Sequence, residues 1–247
     1  MAFEDILKRY FDRVSTEADF VEKAYIALNK FGFNADNSIA CVGICRDEIC
    51  QSLFEEVNKT WGYAFNLSSL AGMFFAGKTG LMAAMHHSPI VEGKERYVFY
   101  AMPHTALDTE GRIGKCKRTG RPGESIACGA LNAFQEELMR QNLELRKQTL
   151  EIDNDDIEYS LIEYSLMKRR LLKEILANTI PDLIQLTKVA QKTIQADIEH
   201  TLKATVDINK SDFAIVTGIQ IHGPDGNYVS PAECYAVVNG KRVELRL

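Results

Sequence analysis

Ser38-Ile39-Ala40-Cys41-Val42-Gly43-Ile44 is the stretch that decides the fold. It is short, almost wholly apolar and does not alternate, which is the pattern of a strand buried on both faces of a sheet. A turn over Asn34 to Asn37 precedes it, and Cys45-Arg46-Asp47-Glu48 follows at once, so a dense group of charges begins where the strand ends. Past those charges Ile49, Leu53, Phe54 and Val57 return to helical spacing. A buried strand, a polar loop at its carboxyl end and a helix are the repeating parts of an α/β protein, and open α/β sheets place their sites at such strand ends.

Towards the N-terminus, Ile6, Tyr10, Phe11 and Val14 share one face of a first helix. Thr16 and Asp19 stand at capping-box spacing before a second helix, whose Phe20, Ala24 and Leu28 stripe stops at Gly32, so residues 1–32 are expected to be N-terminal helices. Residues 62–85, rich in Gly, Ala, Ser, Met and Phe, suit packed helices or a loop followed by a helix. Tyr97 to Ala101 is a second buried strand that bends at Met102-Pro103-His104 and continues through Leu107. Asp108 to Gly111 is a turn, with Arg112 to Lys117 expected as the other arm of a hairpin. Arg121-Pro122-Gly123 turns again, and Ser125 is expected to open a helix through Cys128, Leu131 and Phe134.

Residues 135–210 are the most polar part, with helical Leu and Ile spacing broken around Asp153 to Asp156 and at Pro181, which predicts three helices. Their charges read as wet helix faces, and their apolar faces are available to a dimer interface. Residues 211–247 return to strand: Phe213 to Ile219, a turn at Gly223 to Gly226, then Tyr235 to Val238 and Arg242 to Leu245 as a hairpin through Asn239-Gly240. Without an internal repeat, linker or low-complexity tract, residues 1–247 are expected to form a single α/β domain, a central sheet flanked by helices with additional helices in residues 135–210.

The 247 residues are enough to bury a core without disulfides, and 46% hydrophobic with 26% charged residues is the balance of a soluble globular protein rather than a disordered or membrane-embedded one. Thirty-four acidic against 29 basic residues give a net charge of −5, so there is no broad electrostatic case for a nucleic-acid or anionic-membrane partner. Nothing approaches the ~18 consecutive apolar residues of a spanning helix. Seven charges between Glu4 and Glu17 interrupt any secretory signal. The six cysteines lack disulfide-framework spacing, so a reducing compartment is expected, the cytoplasm in the simplest case, or an organelle if a targeting peptide was trimmed.

Gly72-Met73-Phe74-Phe75-Ala76-Gly77-Lys78-Thr79 matches the phosphate-binding G-x-x-x-x-G-K-[ST] pattern letter for letter. A phosphate loop needs a strand directly before it and small residues whose amides curl around the anion, whereas Met73, Phe74 and Phe75 are large and apolar. A nucleotide binder is therefore the third-placed alternative. No C-x-x-C pair occurs, which leaves a dispersed set: Cys45 after a buried strand, His104 after Pro103, and Cys128 before Gly129. Two meanings are open: small core cysteines with a satisfied buried histidine, or a Cys-His-Cys set holding zinc with a fourth position free, as catalytic zinc sites do. His86 and His87 are equally open, as pocket-lining proton carriers or as loop and interface residues. His200, in a charged helix, and His222, in a turn, are expected to face solvent.

Gly43-Ile44-Cys45-Arg46-Asp47-Glu48, Met85-His86-His87-Ser88-Pro89, Phe99 to Thr105, Asp108 to Gly114, Gly123 to Ala130 and Ile215 to Gln220 together resemble the limiting-carbon-dioxide-inducible B/C family, grouped with theta-type carbonic anhydrases and beta-like in fold. The likeness spans nearly the whole chain. It implies a beta-carbonic-anhydrase-like α/β fold, a homodimer, and zinc held by Cys45, His104 and Cys128. It further implies reversible hydration of carbon dioxide to bicarbonate by hydroxide generated at that zinc. Asp47 takes the place of the orienting aspartate of beta-type enzymes. The position of that residue's arginine partner is Ile49 here, which leaves Arg46 as the neighbour expected to keep Asp47 ionised and off the metal. Asp47 as a fourth ligand, closing the site, is the alternative arrangement. The alternative at the level of function is a catalytically silent zinc-binding member of the family that acts through protein partners.

Overall fold

The structure, a computed structural model, describes residues 3–151, 161–175 and 180–247. It opens with α1 (Phe3–Tyr10), a two-residue strand β1 (Ser15–Thr16) and α2 (Glu17–Asn29). Thr16 caps α2 by accepting from the Asp19 amide at 3.1 Å, a contact of about 1 kcal/mol in exposed helices. The decisive apolar stretch is β2 (Ile39–Gly43), every residue of which is buried. A 3-10 turn over Glu48–Cys50 feeds α3 (Gln51–Trp61), whose Leu53, Val57 and Trp61 face the core at helical spacing. The Trp61 indole satisfies its one donor on the buried Tyr100 hydroxyl at 2.9 Å.

The ambiguous middle resolves into β3 (Phe65–Asn66), a 3-10 turn over Leu70–Gly72, and α4 (Gly77–Met85). Then come β4 (Ile90–Val91), β5 (Lys94–Ala101), β6 (His104–Ala106), β7 (Lys115–Cys116) and β8 (Ser125–Ile126). α5 (Gly129–Glu151), α6 (Ile162–Glu174) and α7 (Leu183–Thr205) fill the polar stretch as three helices. The expected break at Asp153 to Asp156 lies outside the described residues. Asp182, directly after Pro181, caps α7 in a reciprocal capping box with Gln185. The tail is β9 (Ser211–His222), β10 (Asn227–Pro231), β11 (Tyr235–Val238) and β12 (Lys241–Glu244).

These elements make a mixed α/β architecture around a ten-stranded sheet of order β1-β10-β9-β5-β2-β3, with β6 and β11 also on β9, β4 on β5, and β12 on β11. β2 runs parallel to β5 and β5 parallel to β9, in a register that sets Gly43 beside Ala101 and Ala101 beside Thr217. The carboxyl ends of the three core strands therefore meet on one edge. β9 is buried along all twelve residues, which is what a strand paired on both sides and covered on both faces requires. No helix among the described residues is long and apolar enough to cross a membrane.

Two local expectations need correction. Arg112 to Lys117 does not form a regular hairpin with the strand before it: only a Leu107–Ile113 bridge joins them, and Lys115–Cys116 pairs instead with Ser125–Ile126. Ser125 is thus in a strand, and the helix starts at Gly129. Pairing of Cys116 Sγ with Ser125 Oγ at 3.2 Å, and of the Ala127 amide with the Gly114 carbonyl at 2.9 Å, ties down the extended Ser125–Ile126 pair before the chain bends over Ala127 and Cys128 into the helix.

Candidate metal centre

Three elements deliver three ligand-type side chains to the shared strand edge. Cys45 lies two residues beyond β2, fixed by a bridge to Ser69 in which the Ser69 amide donates to the Ile44 carbonyl at 3.1 Å and the Arg46 amide to the Ser69 carbonyl at 3.2 Å. His104 begins β6 after the Met102-Pro103 bend and is fully buried opposite Gln220 of β9. Cys128 stands just before α5, where the amides of Ala130 and Leu131 donate to its sulfur and the helix N-terminus favours a thiolate. The two sulfurs and a ring nitrogen of His104 all lie within 4.8 Å of one another.

The electrostatics match a cation-binding cluster. Hydrogen bonds from Cys128 first and Cys50 next push the Cys45 thiol far below its ordinary value, against the cost of burial. Cys128 is pushed up by the same shared proton and by burial, and burial first, then Cys45, pushes Cys50 up. Cys45, Cys128 and Cys50 thus share their protons within one hydrogen-bonded cluster, and Cys50 Sγ also lies 3.7 Å from His222 Nε2. His104 Nε2 is buried without a hydrogen-bond partner. Such an orphan costs about 1–3 kcal/mol unless something else meets its lone pair. Two thiols and an imidazole nitrogen converging on one point suit zinc, whose sites draw on cysteine sulfur and histidine nitrogen.

Asp47 follows as the cap of the 3-10 turn, accepting from the Ile49 amide, and its Oδ2 is 3.9 Å from His104 Nε2. The arginine at Asp47 is Arg118, not Arg46. Arg118 grips both carboxylate oxygens, at 2.9 Å for Oδ2, and also holds Glu48 at 2.6 Å, the Ile126 carbonyl at 2.9 Å and Ser125 Oγ at 2.8 Å. Burial raises the Asp47 pKa, but the Arg118 hydrogen bonds and other nearby groups outweigh it and leave the carboxyl below the usual aspartate range. Arg46 points away to an exposed pair with Glu163 at 2.6 and 2.9 Å, because its backbone is committed to Ser69 and its side chain leaves the pocket.

Sequence reasoning missed Arg118, Cys50 and His222. Arg118 lies 71 residues from Asp47 in a charged loop, with no periodic signal to mark it. His222 is not in an exposed turn: it is the last residue of β9, 4% exposed, and burial first of all pushes its pKa down to about 3. Its ring stands edge-on to that of His104 with centroids 5.2 Å apart. His200 is exposed on α7. His86 lines a separate cavity of about 470 Å³ with Lys78, Met82 and Met85, and the His87 ring packs against Phe65 with centroids 5.4 Å apart. The phosphate-loop look-alike is spent on packing, with Met73 and Phe74 buried and a 3-10 turn rather than a strand leading into it.

Comparison with known proteins bears on the family and the fold. The profile of the family described as limiting CO2-inducible proteins B/C beta carbonic anhydrases matches residues 14–238. The crystal structure of limiting CO2-inducible protein LCIB is 32% identical, covers 96% of each chain and superposes with a TM-score of 0.81. The structure of PtLCIB4, a homologue of LCIB, is 21% identical over 98% of this chain and 99% of that one, with a TM-score of 0.79, and supports the fold alone. No curated protein matches the chain.

Proposed function

The chain belongs to the family of limiting CO2-inducible proteins B/C beta carbonic anhydrases, and on that premise we propose that it is a zinc-dependent carbonic anhydrase interconverting carbon dioxide and bicarbonate. The observation that carries this is the convergence of Cys45, His104 and Cys128 within 4.8 Å around a buried histidine nitrogen with no other partner. Those three residues would hold the metal. When bound, zinc supplies the Lewis acidity that lowers the pKa of water from ~15.7 towards ~7 and so makes a nucleophile near neutral pH.

The remaining work falls to the chain. Asp47, kept ionised by Arg118, can only accept a hydrogen bond, so it would accept one from the attacking oxygen and turn that oxygen's lone pair towards the carbon of carbon dioxide. Arg118 holds both oxygens of Asp47 and opposes its collapse onto the metal, the part first assigned to Arg46. Ser125 and the Ile126 carbonyl fix Arg118 in turn, which ties the Asp47 loop to the strand that leads into Cys128. The cluster works only with reduced cysteines, which favours a reducing compartment such as the cytoplasm. The family premise also implies a homodimer acting on carbon dioxide and bicarbonate, which sedimentation of the pure protein checks.

Asp47→Ala tests the assignment. Hydration is expected to fall by about 10²–10⁴-fold while the zinc content is unchanged. Full turnover in the variant contradicts it, and loss of zinc would make Asp47 a ligand instead.

A further inference from the structure

A line of side-chain hydrogen bonds leads from the ring of His104 to the start of α2. His104 Nδ1 is 3.1 Å from His222 Nε2, and His222 Nδ1 is 2.8 Å from Asn227 Oδ1. Asn227 Nδ2 donates to Ser52 Oγ at 2.8 Å, and Ser52 hydrogen-bonds the buried carboxylate of Glu17, which also accepts from Gln220 at 2.6 Å. The donor and acceptor inventory fixes the direction of the steps between Ser52 and His104. The Asn227 amide nitrogen can only donate, and it does so to Ser52 Oγ, which in turn hydrogen-bonds Glu17. With Nδ2 committed, Asn227 turns its carbonyl oxygen to His222, which must then carry its proton on Nδ1 and a lone pair on Nε2. The His222 ring is 4% exposed, its Nδ1 meets an amide oxygen and its Nε2 an imidazole and, at 3.7 Å, the Cys50 thiol, so it is neutral and has one proton to place. His104 therefore donates from Nδ1 and keeps its lone pair on Nε2, the buried atom that no protein group satisfies.

We propose that His222, backed by Asn227, Ser52 and Glu17, is a positioning residue that locks His104 in its Nδ1–H form and so aims the Nε2 lone pair between Cys45 and Cys128. This rests on the zinc reading above and names the residue that sets the orientation of its histidine ligand. A competing use of the same atoms is defined by the geometry. Cys50, His104 and His222 form a second group whose ligand atoms lie within 4.8 Å of one another. A metal there would need the proton of His104 Nδ1 removed and His222 Nε2 as a ligand, so it is incompatible with the chain of hydrogen bonds.

The test compares the full-length wild type with His222→Leu, which removes the acceptor, and His222→Gln, whose amide oxygen reaches the place of Nε2. Zinc affinity is measured by chelator competition, and ring protonation by long-range 1H–15N spectra of histidine-labelled protein. The expected result is a zinc affinity 10–100-fold weaker in His222→Leu and within about threefold of wild type in His222→Gln. In the wild type, both His104 and His222 should carry their proton on Nδ1. Equal affinity in His222→Leu and wild type, an Nε2–H pattern at His222, or two zinc ions per chain would each overturn the proposal. Wild-type protein that takes up no zinc but shows both Nδ1–H patterns would instead count against the zinc reading and uphold the histidine pairing.

Discussion

Asp47 and Glu17 are both carboxylates with buried surroundings, and their partners send them in opposite directions. Two-pronged binding by Arg118 leaves Asp47 below the usual range, whereas burial lifts Glu17 above its ordinary 4.5 because Ser52 and Gln220 offer only neutral donors. The sign of the consequence for Glu17 follows from linkage. Between 4.5 and the raised value the folded chain binds the proton more tightly than the unfolded chain does. The contribution of Glu17 to stability is therefore greatest at or below 4.5 and declines as pH climbs through its folded pKa. Glu17→Gln removes that decline, so the Tm of the variant is expected to gain on that of wild type as pH rises from roughly 4 to 7, read from thermal melts across the range. A Tm difference that is the same at every pH would show that the buried carboxyl does not titrate differently in the folded chain.

At the scale of elements, the site depends on two loops approaching closely. Gly72 ends a 3-10 turn with φ of +72°, and a Cβ there would stand 2.5 Å from the Met102 carbonyl oxygen and 3.4 Å from the Cys45 nitrogen. Gly72→Ala is expected to cost about 2–4 kcal/mol through backbone strain and overpacking, lowering Tm by several degrees and slackening the Cys45 loop. A Tm within about a degree of wild type would contradict so tight an approach. The glycine looked like part of a phosphate loop in sequence because the spacing rule sees its identity and not its neighbours. Elements with a strong local signal were legible: β2 and β5 as apolar runs, α2 through its Thr16 cap, and α7 through Pro181. β8 was not, since two residues are too few for any periodicity and their extension comes from pairing with Cys116 and Lys115. Nor was the end of β9, where the strand was read only to Ile219 and His222 as part of a turn, although Gln220 and His222 are both buried in β9. Their polarity serves the site, and the binary pattern fails there for that reason.

The whole molecule gathers residues far apart in the chain onto one edge of a sheet. Parallel pairing of β2 with β5 and of β5 with β9 brings Cys45, His104 and His222 to adjacent carboxyl ends, and the β7–β8 ribbon brings Arg118 and Cys128 against them. Cys45, Asp47 and His104 stood out beside buried strands and Cys128 before Gly129, but the residues alone left their grouping open, and only the family resemblance made it a ligand set. The partner of Asp47 was not legible, because an ion pair between distant loops leaves no trace in local spacing. The central claim is that this edge, loaded with zinc, hydrates carbon dioxide. Stopped-flow hydration by the zinc-loaded protein, with Cys45→Ser prepared in parallel, tests it most directly. The account predicts a rate well above buffer for the wild type and its loss in the variant. No rate above buffer in wild-type protein with zinc shown to be bound would contradict it and leave a zinc-stabilised protein that acts through partners.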